Sequence, residues 1–240
     1  MPRALFISDL HLAPGRTDLT AAFEGFLERL PADTQALYIL GDLFDYWAGD
    51  DDLADPFNAR VVALLASLAE RNVALFLLPG NRDFLMGERF MAAAKAKRLA
   101  EIHLLDLHGV PTLLLHGDEL CLRDAAYRNF RATVRDAAWQ ESFLARPLAE
   151  RKAKIEALRA RSEAEKRAKD YDLMDADPAA AEDLLRIHGA TRLIHGHTHR
   201  PARHAHAVDG RPCERWVLAS WDDQPGGLEC DADGCRPFTA

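Results

Sequence analysis

Five short apolar runs in this chain stop abruptly at a polar signature: ALFIS at DLH, ALYIL at GD, ALFLLP at GNRD, TLLLH at GDE and RLI at HGHTH. Runs of this length, rich in Leu, Ile and Val and bounded by Gly or Pro, suit strands buried on both faces. Helical patterns over residues 19–30 and 58–71 separate the first three, so strand and helix alternate through the first ninety residues. That alternation predicts an α/β fold. Open sheets of this kind bind ligands outside the carboxyl ends of their strands, where all five signatures fall. One strand-end Asp is an ordinary turn or cap residue; five signatures at one edge ask for chemistry. The late stretches ERWVLAS and GGLEC read as two or three further strands ending in a hairpin, forming a second sheet against the first.

A chain of 240 residues has room for one large domain or two small ones without covalent staples. Its net charge of −8 argues against a chain whose whole surface grips nucleic acid, leaving room only for a local basic patch. The opening MPRALFISDLHL turns polar at Ser8 and Asp9, too early for a signal peptide, and no run approaches the length of a membrane span. The expectation is a cytosolic protein with, at most, peripheral membrane contact. Cys121 and Cys213 stand alone, and Cys230 and Cys235 lie in CDADGC. In a reducing compartment all four are expected as inert thiols, since neither context nor spacing marks a disulfide or a zinc clip. Residues 123–172 differ from the rest: 13 Lys and Arg against 9 Asp and Glu, in strongly helix-forming sequence that interrupts the alternation. They predict a helical insertion whose basic residues serve a local anion. The competing reading is a solvated helix laced with pairs such as Glu150/Lys154 and Glu163/Arg167.

The stretch TRLIHGHTHRPARHAH holds five histidines. Imidazole is the commonest protein metal ligand, although any one of these taken alone reads equally as a solvated loop residue. With Asp9, His11, Asp42, Asn81 and His116, the pair His197 and His199 completes a set of seven candidate ligands. Hard oxygens mixed with imidazoles, without thiolate, suit Mn²⁺, Fe²⁺ or Zn²⁺ in a reactive rather than a structural site. Seven ligands are too many for one tetrahedral ion, whereas two ions sharing a carboxylate would use them all. His195 is expected as a packed strand residue, and His204 and His206 in a solvated loop.

DLH, GDLFD, GNRD, HGD and GHTH, in that order, resemble the calcineurin-like metallophosphoesterases. The resemblance implies a four-layer αββα sandwich of two mixed sheets. It also implies two divalent metals, one held by Asp9, His11, Asp42 and His199, the other by Asp42, Asn81, His116 and His197, with Asp42 as the bridge. Many members read GNHE where this chain reads Gly80-Asn81-Arg82-Asp83. Arginine cannot act as a general acid, but it can clamp phosphate oxygens and stabilise charge developing on them. Such a site favours a leaving group that departs without a proton, as phosphate does from a pyrophosphate. The alternative is that Arg82 merely pairs with Asp83 or a surface acid.

On the long predicted helix Ile155, Arg159, Ser162, Lys166 and Lys169 share one face, apolar at one end and basic at the other. Before it, Asp124, Tyr127, Arg128 and Arg131 form a polar stripe, and Ala126, Phe130 and Val134 an apolar one. Helices of this kind over a phosphate-cleaving site suit a lipid-linked phosphate. Phe44, Tyr46 and Trp47 of GDLFDYWAGDD either line the same mouth or pack in the core. Together GDLFDYW, GNRDF, HGDELCLRDAAYRNFR and GHTHRP closely resemble the family of UDP-2,3-diacylglucosamine diphosphatases of lipid A synthesis, as far as about Trp221. That resemblance implies hydrolysis of the diacylated UDP-sugar to its 1-phosphate and UMP, by a hydroxide that two cations, usually Mn²⁺, make available. The expected setting is the cytoplasmic face of an inner membrane. Asn81, Arg82 and His197 would be catalytic, and with Asp124, Ser162, Lys166 and Lys169 would touch substrate; the stripes add Tyr127 and Arg159. Two readings stay open beside it, a pyrophosphatase or phosphodiesterase with a soluble substrate and a non-catalytic binding module on the same fold.

Overall fold

A computed structural model describes residues 2–168 and 175–240, without the side chains of 161–168. Strand β1 (Arg3–Ile7) is apolar on both faces because it is packed on both: Leu5 and Ile7 enter one core, Ala4 and Phe6 another. It pairs in parallel with β2 (Thr34–Ile39), which continues in parallel to β3 (Ala74–Leu77) and β4 (Ala96–Arg98). The second sheet runs β5 (Ile102–Leu107), β6 (Val110–Leu115), β7 (Arg192–His195), β9 (Arg211–Val217), β8 (Ala202–Val208). β6, β7 and β9 are mutually parallel, and β5 and β8 close the edges antiparallel.

The layers follow from which residues each face offers. Helices α1 (Thr17–Glu28), α2 (Pro56–Ser67) and α3 (Glu88–Ala93) cover the first sheet with Phe23, Val61, Leu65 and Phe90. Phe6, Tyr38, Leu40, Leu114, Ile194 and Trp216 fill the space between the sheets. Helix α7 (Pro178–His188) covers the second sheet with Ala181 and Leu185. Each such fully buried large side chain contributes roughly 1.5–3 kcal/mol. This is the expected four-layer sandwich. The helical patterns over residues 19–30 and 58–71 correspond to α1 and to α2 with the 3₁₀ turn Leu68–Arg71 behind it. Asp55 caps α2, whose first residue is Pro56, through bonds from Phe57 N and Asn58 N.

The C-terminal strands depart from expectation in one respect. β9 joins the second sheet, but the hairpin β10 (Gly226–Asp231) and β11 (Gly234–Thr239) returns to the first, where β10 pairs antiparallel with β1. In that hairpin Cys230 and Cys235 are direct cross-strand partners, Cα atoms 4.1 Å apart, and are joined by a disulfide. The expectation of four reduced thiols therefore fails for this pair, because strand register supplies the proximity that the sequence spacing did not suggest. Cys121 and Cys213 are buried and outside this disulfide. The insertion contains α4 (Ala125–Arg135), α5 (Ala137–Leu144) and α6 (Leu148–Ala168). Asp124 and Asp136 cap the first two. The first half of α6 is tied to residues 48–55: the buried Arg151 donates to Ala48 O and pairs with Asp51, and Lys152 lies 2.7 Å from Asp52. Among the described residues no helix is long and apolar enough to cross a membrane.

Candidate metal centre

β1, β2, β3, β6 and β7 all end at one edge of the sandwich, and the turns that follow carry the seven candidate ligands. Five of these occupy the left-handed region: Asp9 at φ 54°, His11 at 48°, Asp42 at 54°, His197 at 68° and His199 at 54°. A non-glycine residue there costs about 1–2 kcal/mol, and such strain concentrates at functional sites. Neighbouring turns hold it in place. Leu10 N and His11 N both donate to Asp42 O, at 2.9 and 3.0 Å, and Gly196 N donates to His116 O at 2.8 Å. Gly41, at φ 93°, admits this packing because a Cβ there would lie 2.5 Å from Gly80 Cα. The Asp83 carboxylate, fully buried, accepts from Gly80 N and Leu43 N at 2.8 Å each and from Asp42 N at 3.3 Å. It locks the second turn to the third.

The side chains converge. His11 Nε2 and His199 Nε2 are 3.4 Å apart, and ligand atoms of Asp9, His11 and His199 lie within 4.8 Å of one another. On the other side His116 Nε2 and His197 Nδ1 lie 2.9 and 3.0 Å from the same Asn81 Oδ1. Ligands about 2.1 Å from one ion sit roughly 3 Å from each other, which matches both clusters. Asp42 stands between them, with Oδ1 3.7 Å from His116 Nε2 and Oδ2 4.0 Å from His11 Nδ1. Its two oxygens thus lie nearer different clusters, and ligand atoms of Asp9, Asp42 and His116 also lie within 4.8 Å of one another, so Asp9 is common to both groups.

The electrostatics of the cluster are those of crowded, buried charge. Burial, opposed by His116 and reinforced by Asp83 and Asp9, pushes the Asp42 carboxyl up to about 7. Burial also disfavours protonated His116, but Asp42, Asp9 and Asp118 outweigh it and raise the imidazole to about 9. Burial takes His11 down to about 3, leaving it as the neutral imidazole that can ligate. Asp9 is fully buried, yet the histidines around it hold its carboxyl well below the usual range. Asp9 Oδ1 and His11 Nδ1 are buried without a hydrogen-bond partner among the described residues. Crowded carboxylates, unsatisfied donor atoms and an oxygen-nitrogen ligand set fit divalent cations. Outside the cluster, Ser8 Oγ donates to Asp9 Oδ2 at 2.6 Å and His116 Nδ1 to Leu40 O at 2.9 Å, orienting those ligands.

Arg82 stands beside the bridging carboxylate: its backbone N donates to Asp42 Oδ1 at 2.9 Å, and its Nε is 3.9 Å from Asp42 Oδ2. It does not pair with Asp83, whose oxygens are taken by backbone amides; its Nη1 donates to Asp45 Oδ1 at 3.1 Å. Arg159 of α6 pairs with the other oxygen of Asp45 and lies over the Tyr46 ring. Two guanidinium groups therefore share one carboxylate at the mouth. Tyr127 donates to Asp118 Oδ2 at 2.9 Å and stacks on His197, centroids 5.9 Å apart. Asp124 caps α4 through Tyr127 N at 3.0 Å. Ser162 and Lys166 lie on α6 but their side chains are outside the described residues, as is the whole of Lys169. Phe44 and Trp47 are core residues that pack with Phe90, so of the three aromatics only Tyr46 reaches the mouth.

His195 is a packed strand residue, fully buried, with Nδ1 2.8 Å from Gly196 O. His204 and His206 are in β8 rather than a loop, and His206 pairs with Glu182 of α7 at 3.0 Å. His204 is exposed on its strand, as a loop residue would be, whereas the His206 side chain is nearly buried against α7 and is not solvated. Three residues that organise the site carried too little signal: Asp83 and Asp118, which look like ordinary turn acids, and Asp45, visible only as part of an acidic, aromatic-rich run.

A model of the calcineurin-like phosphoesterases matches residues 2–201, and the chain belongs to that family. Curated relatives named UDP-2,3-diacylglucosamine hydrolase share 55% identity in Aromatoleum aromaticum (96% of this chain, 94% of that protein) and 49% in Cellvibrio japonicus (96% and 95%). Another, from Pseudomonas paraeruginosa, shares 45% over 98% of both chains. Vacuolar Protein Sorting 29 from Cryptosporidium parvum superposes with a TM-score of 0.50 at 12% identity, covering 100% of this chain and 98% of that one, a likeness of fold alone.

Proposed function

We propose that this enzyme hydrolyses the pyrophosphate of UDP-2,3-diacylglucosamine, adding water across the P–O–P bond to give 2,3-diacylglucosamine 1-phosphate (lipid X) and UMP. The observation that carries the reading is Arg82 beside Asp42, where a family member needing a proton donor would place a histidine. Near-full-length relatives bearing the corresponding name support the choice of substrate. In this reading Asp9, His11, Asp42 and His199 hold one cation, and Asp42, Asn81, His116 and His197 the other, with Mn²⁺ the proposed metal. The cations, when bound, supply the Lewis acidity that makes a water nucleophilic at neutral pH and neutralises phosphoryl charge. The chain does the rest. Asp42 fixes the spacing of the two clusters, Asn81 and His197 bound the space where phosphorus sits, and Arg82 donates to the oxygens on which charge builds.

The helices within residues 123–172 serve as a lid on a single domain spanning residues 1–240. Arg159 and Tyr127 face substrate from beneath it, joined by Asp124, Ser162, Lys166 and Lys169. Phe130, Leu144 and Leu158, three of the six exposed large apolar side chains among the described residues, belong to this region, and a fourth, Leu122, immediately precedes it. They support peripheral contact with the cytoplasmic face of the inner membrane, where a diacylated substrate resides. The test is to incubate purified protein with Mn²⁺ and a panel of UDP-sugars, acylated and plain, and follow UMP. Release is expected from the diacylated sugar alone; equal cleavage of plain UDP-sugars would refute the lipid assignment.

A further inference from the structure

Helix α4 carries Tyr127, Arg131 and Arg135 at intervals of four, on one face, and all three reach the ligand-bearing edge, the first two at Asp118 and the third at Gly80. Tyr127 stacks on His197 and bonds Asp118. Arg131 donates through Nε to Asp118 Oδ2 at 2.8 Å and through Nη2 to Glu101 and Glu119, at 3.0 and 3.3 Å. Arg135 goes furthest: Nη2 donates to Gly80 O at 3.0 Å, Nη1 to Glu101 Oε1 at 2.6 Å, and its guanidinium lies 5.1 Å from the centroid of the Phe84 ring. Gly80 and Phe84 flank the turn that carries Asn81 and Arg82. From inside, Asp83 holds that turn by accepting from Gly80 N. From outside, Arg135 is the one group among the described residues seen to hold the Gly80 carbonyl, and the peptide between Gly80 and Asn81 sets where the Asn81 side chain starts.

We propose that Arg135 is a positioning residue of the active site: by fixing the Gly80 carbonyl and the Phe84 ring it sets the aim of Asn81 and Arg82, with Glu101 holding its guanidinium in register. It touches neither metal nor substrate. A group acting at this remove typically changes metal affinity or activity by about 10–100-fold when lost, without a matching change in substrate binding. Because Asn81 is placed among the ligands, the effect also reaches metal binding, a readout independent of turnover. The proposal rests on the pyrophosphatase reading only for its kinetic arm.

The experiment compares wild type, Arg135→Gln, Arg135→Lys and Glu101→Gln for Mn²⁺ affinity by electron paramagnetic resonance titration, kcat and KM for UMP release from the diacylated UDP-sugar, and melting temperature. Arg135→Gln is expected to weaken the poorer of two Mn²⁺ sites about tenfold and to lower kcat by about 10–100-fold with KM within a factor of two. Lysine, able to reach the carbonyl but not the carboxylate as well, restores part of both, and Glu101→Gln gives a smaller loss of the same kind. Should Arg135→Gln not fold, the lysine and Glu101 variants still decide. Wild-type Mn²⁺ affinity and kcat in the folded variants, with only the melting temperature changed, would overturn the proposal. If wild type binds two Mn²⁺ but releases no UMP, the substrate assignment fails while the metal titration still judges Arg135.

Discussion

The ligand-bearing turns are fixed by backbone hydrogen bonds and buried carboxylates, whereas the helices facing them are fixed by arginine and lysine side chains. Asp9, Asp42 and Asp83 are almost wholly buried and five candidate ligands sit in strained backbone that neighbouring turns over-determine. Across the mouth, Arg82, Asp45 and Arg159 keep 19–28% of their side-chain surface exposed, and each contact can be exchanged for another anion. The first construction suits groups whose geometry must not change during reaction, and the second suits groups that release one partner to take up substrate. Preorganisation is concentrated where charge develops, and adaptability where the substrate enters.

Removing a group from the rigid side should be the most damaging. Asp42→Ala is expected to abolish measurable UMP release and to leave fewer than two metals per chain by elemental analysis, since one carboxylate serves both clusters. Two metals retained would show that the clusters are independent. Arg82→Ala, at the boundary between the two constructions, should keep both metals and lose about 10²–10³ in kcat, with Lys restoring a fraction. Wild type should also cleave the diacylated UDP-sugar far better than an alkyl phosphodiester, and comparable rates would mean that a proton donor has been overlooked.

Proton competition tests the buried charges. His116 in the folded chain titrates near 9, above its unfolded value of about 6.5, so its contribution to metal-free stability is present below 6.5 and lost as pH rises through 9. Asp42, raised from 3.8 to about 7, loses its contribution between those values, so it acts in the same direction but adds to the fall only at the lower end of the His116 window. The melting temperature of chelator-treated protein should therefore fall between pH 6.5 and 9, by at least about 2–4 °C, the shift that 1 kcal/mol produces in a domain of this size. Saturating Mn²⁺ should remove the fall, because its ligands must be deprotonated and affinity climbs with pH. A flat metal-free profile would contradict the crowding of charge at His116. The smallest effect is expected on the adaptable side: Arg159→Ala should raise KM several-fold with little change in melting temperature, since a partly exposed ion pair contributes about 1 kcal/mol or less. A large loss of stability would make α6 part of the rigid frame.

Much of this was legible because each ligand ends an apolar run, and a buried strand announces both itself and its carboxyl end. Asp9, Asp42, Asn81, His116 and His197 needed no knowledge of tertiary contacts to be placed at one edge. What the sequence concealed depends on distant partners. Asp83 sits beside Arg82 and looks like its counter-ion, yet its oxygens belong to the amides of Gly80 and Leu43. Arg135 falls one turn beyond the polar stripe of α4 and acquires meaning only from Gly80 O. The hairpin could be read, but not the sheet it joins, and its disulfide follows from a register that no local spacing reveals.

The return of β10 to the side of β1 has a consequence for how the molecule is made. On a ribosome the first strand emerges well before the strand that covers its open flank, because the partners Ala4 and Cys230 are 226 positions apart. Throughout elongation the amino-terminal sheet exposes an unpaired border, a surface prone to pair with the wrong chain. The cation cage is late for the same reason, because His11 and His199, which face each other in it, are 188 positions apart. A nascent chain that has not yet extended past His199 therefore lacks half of the proposed cation cage, and metal loading would follow the emergence of both halves.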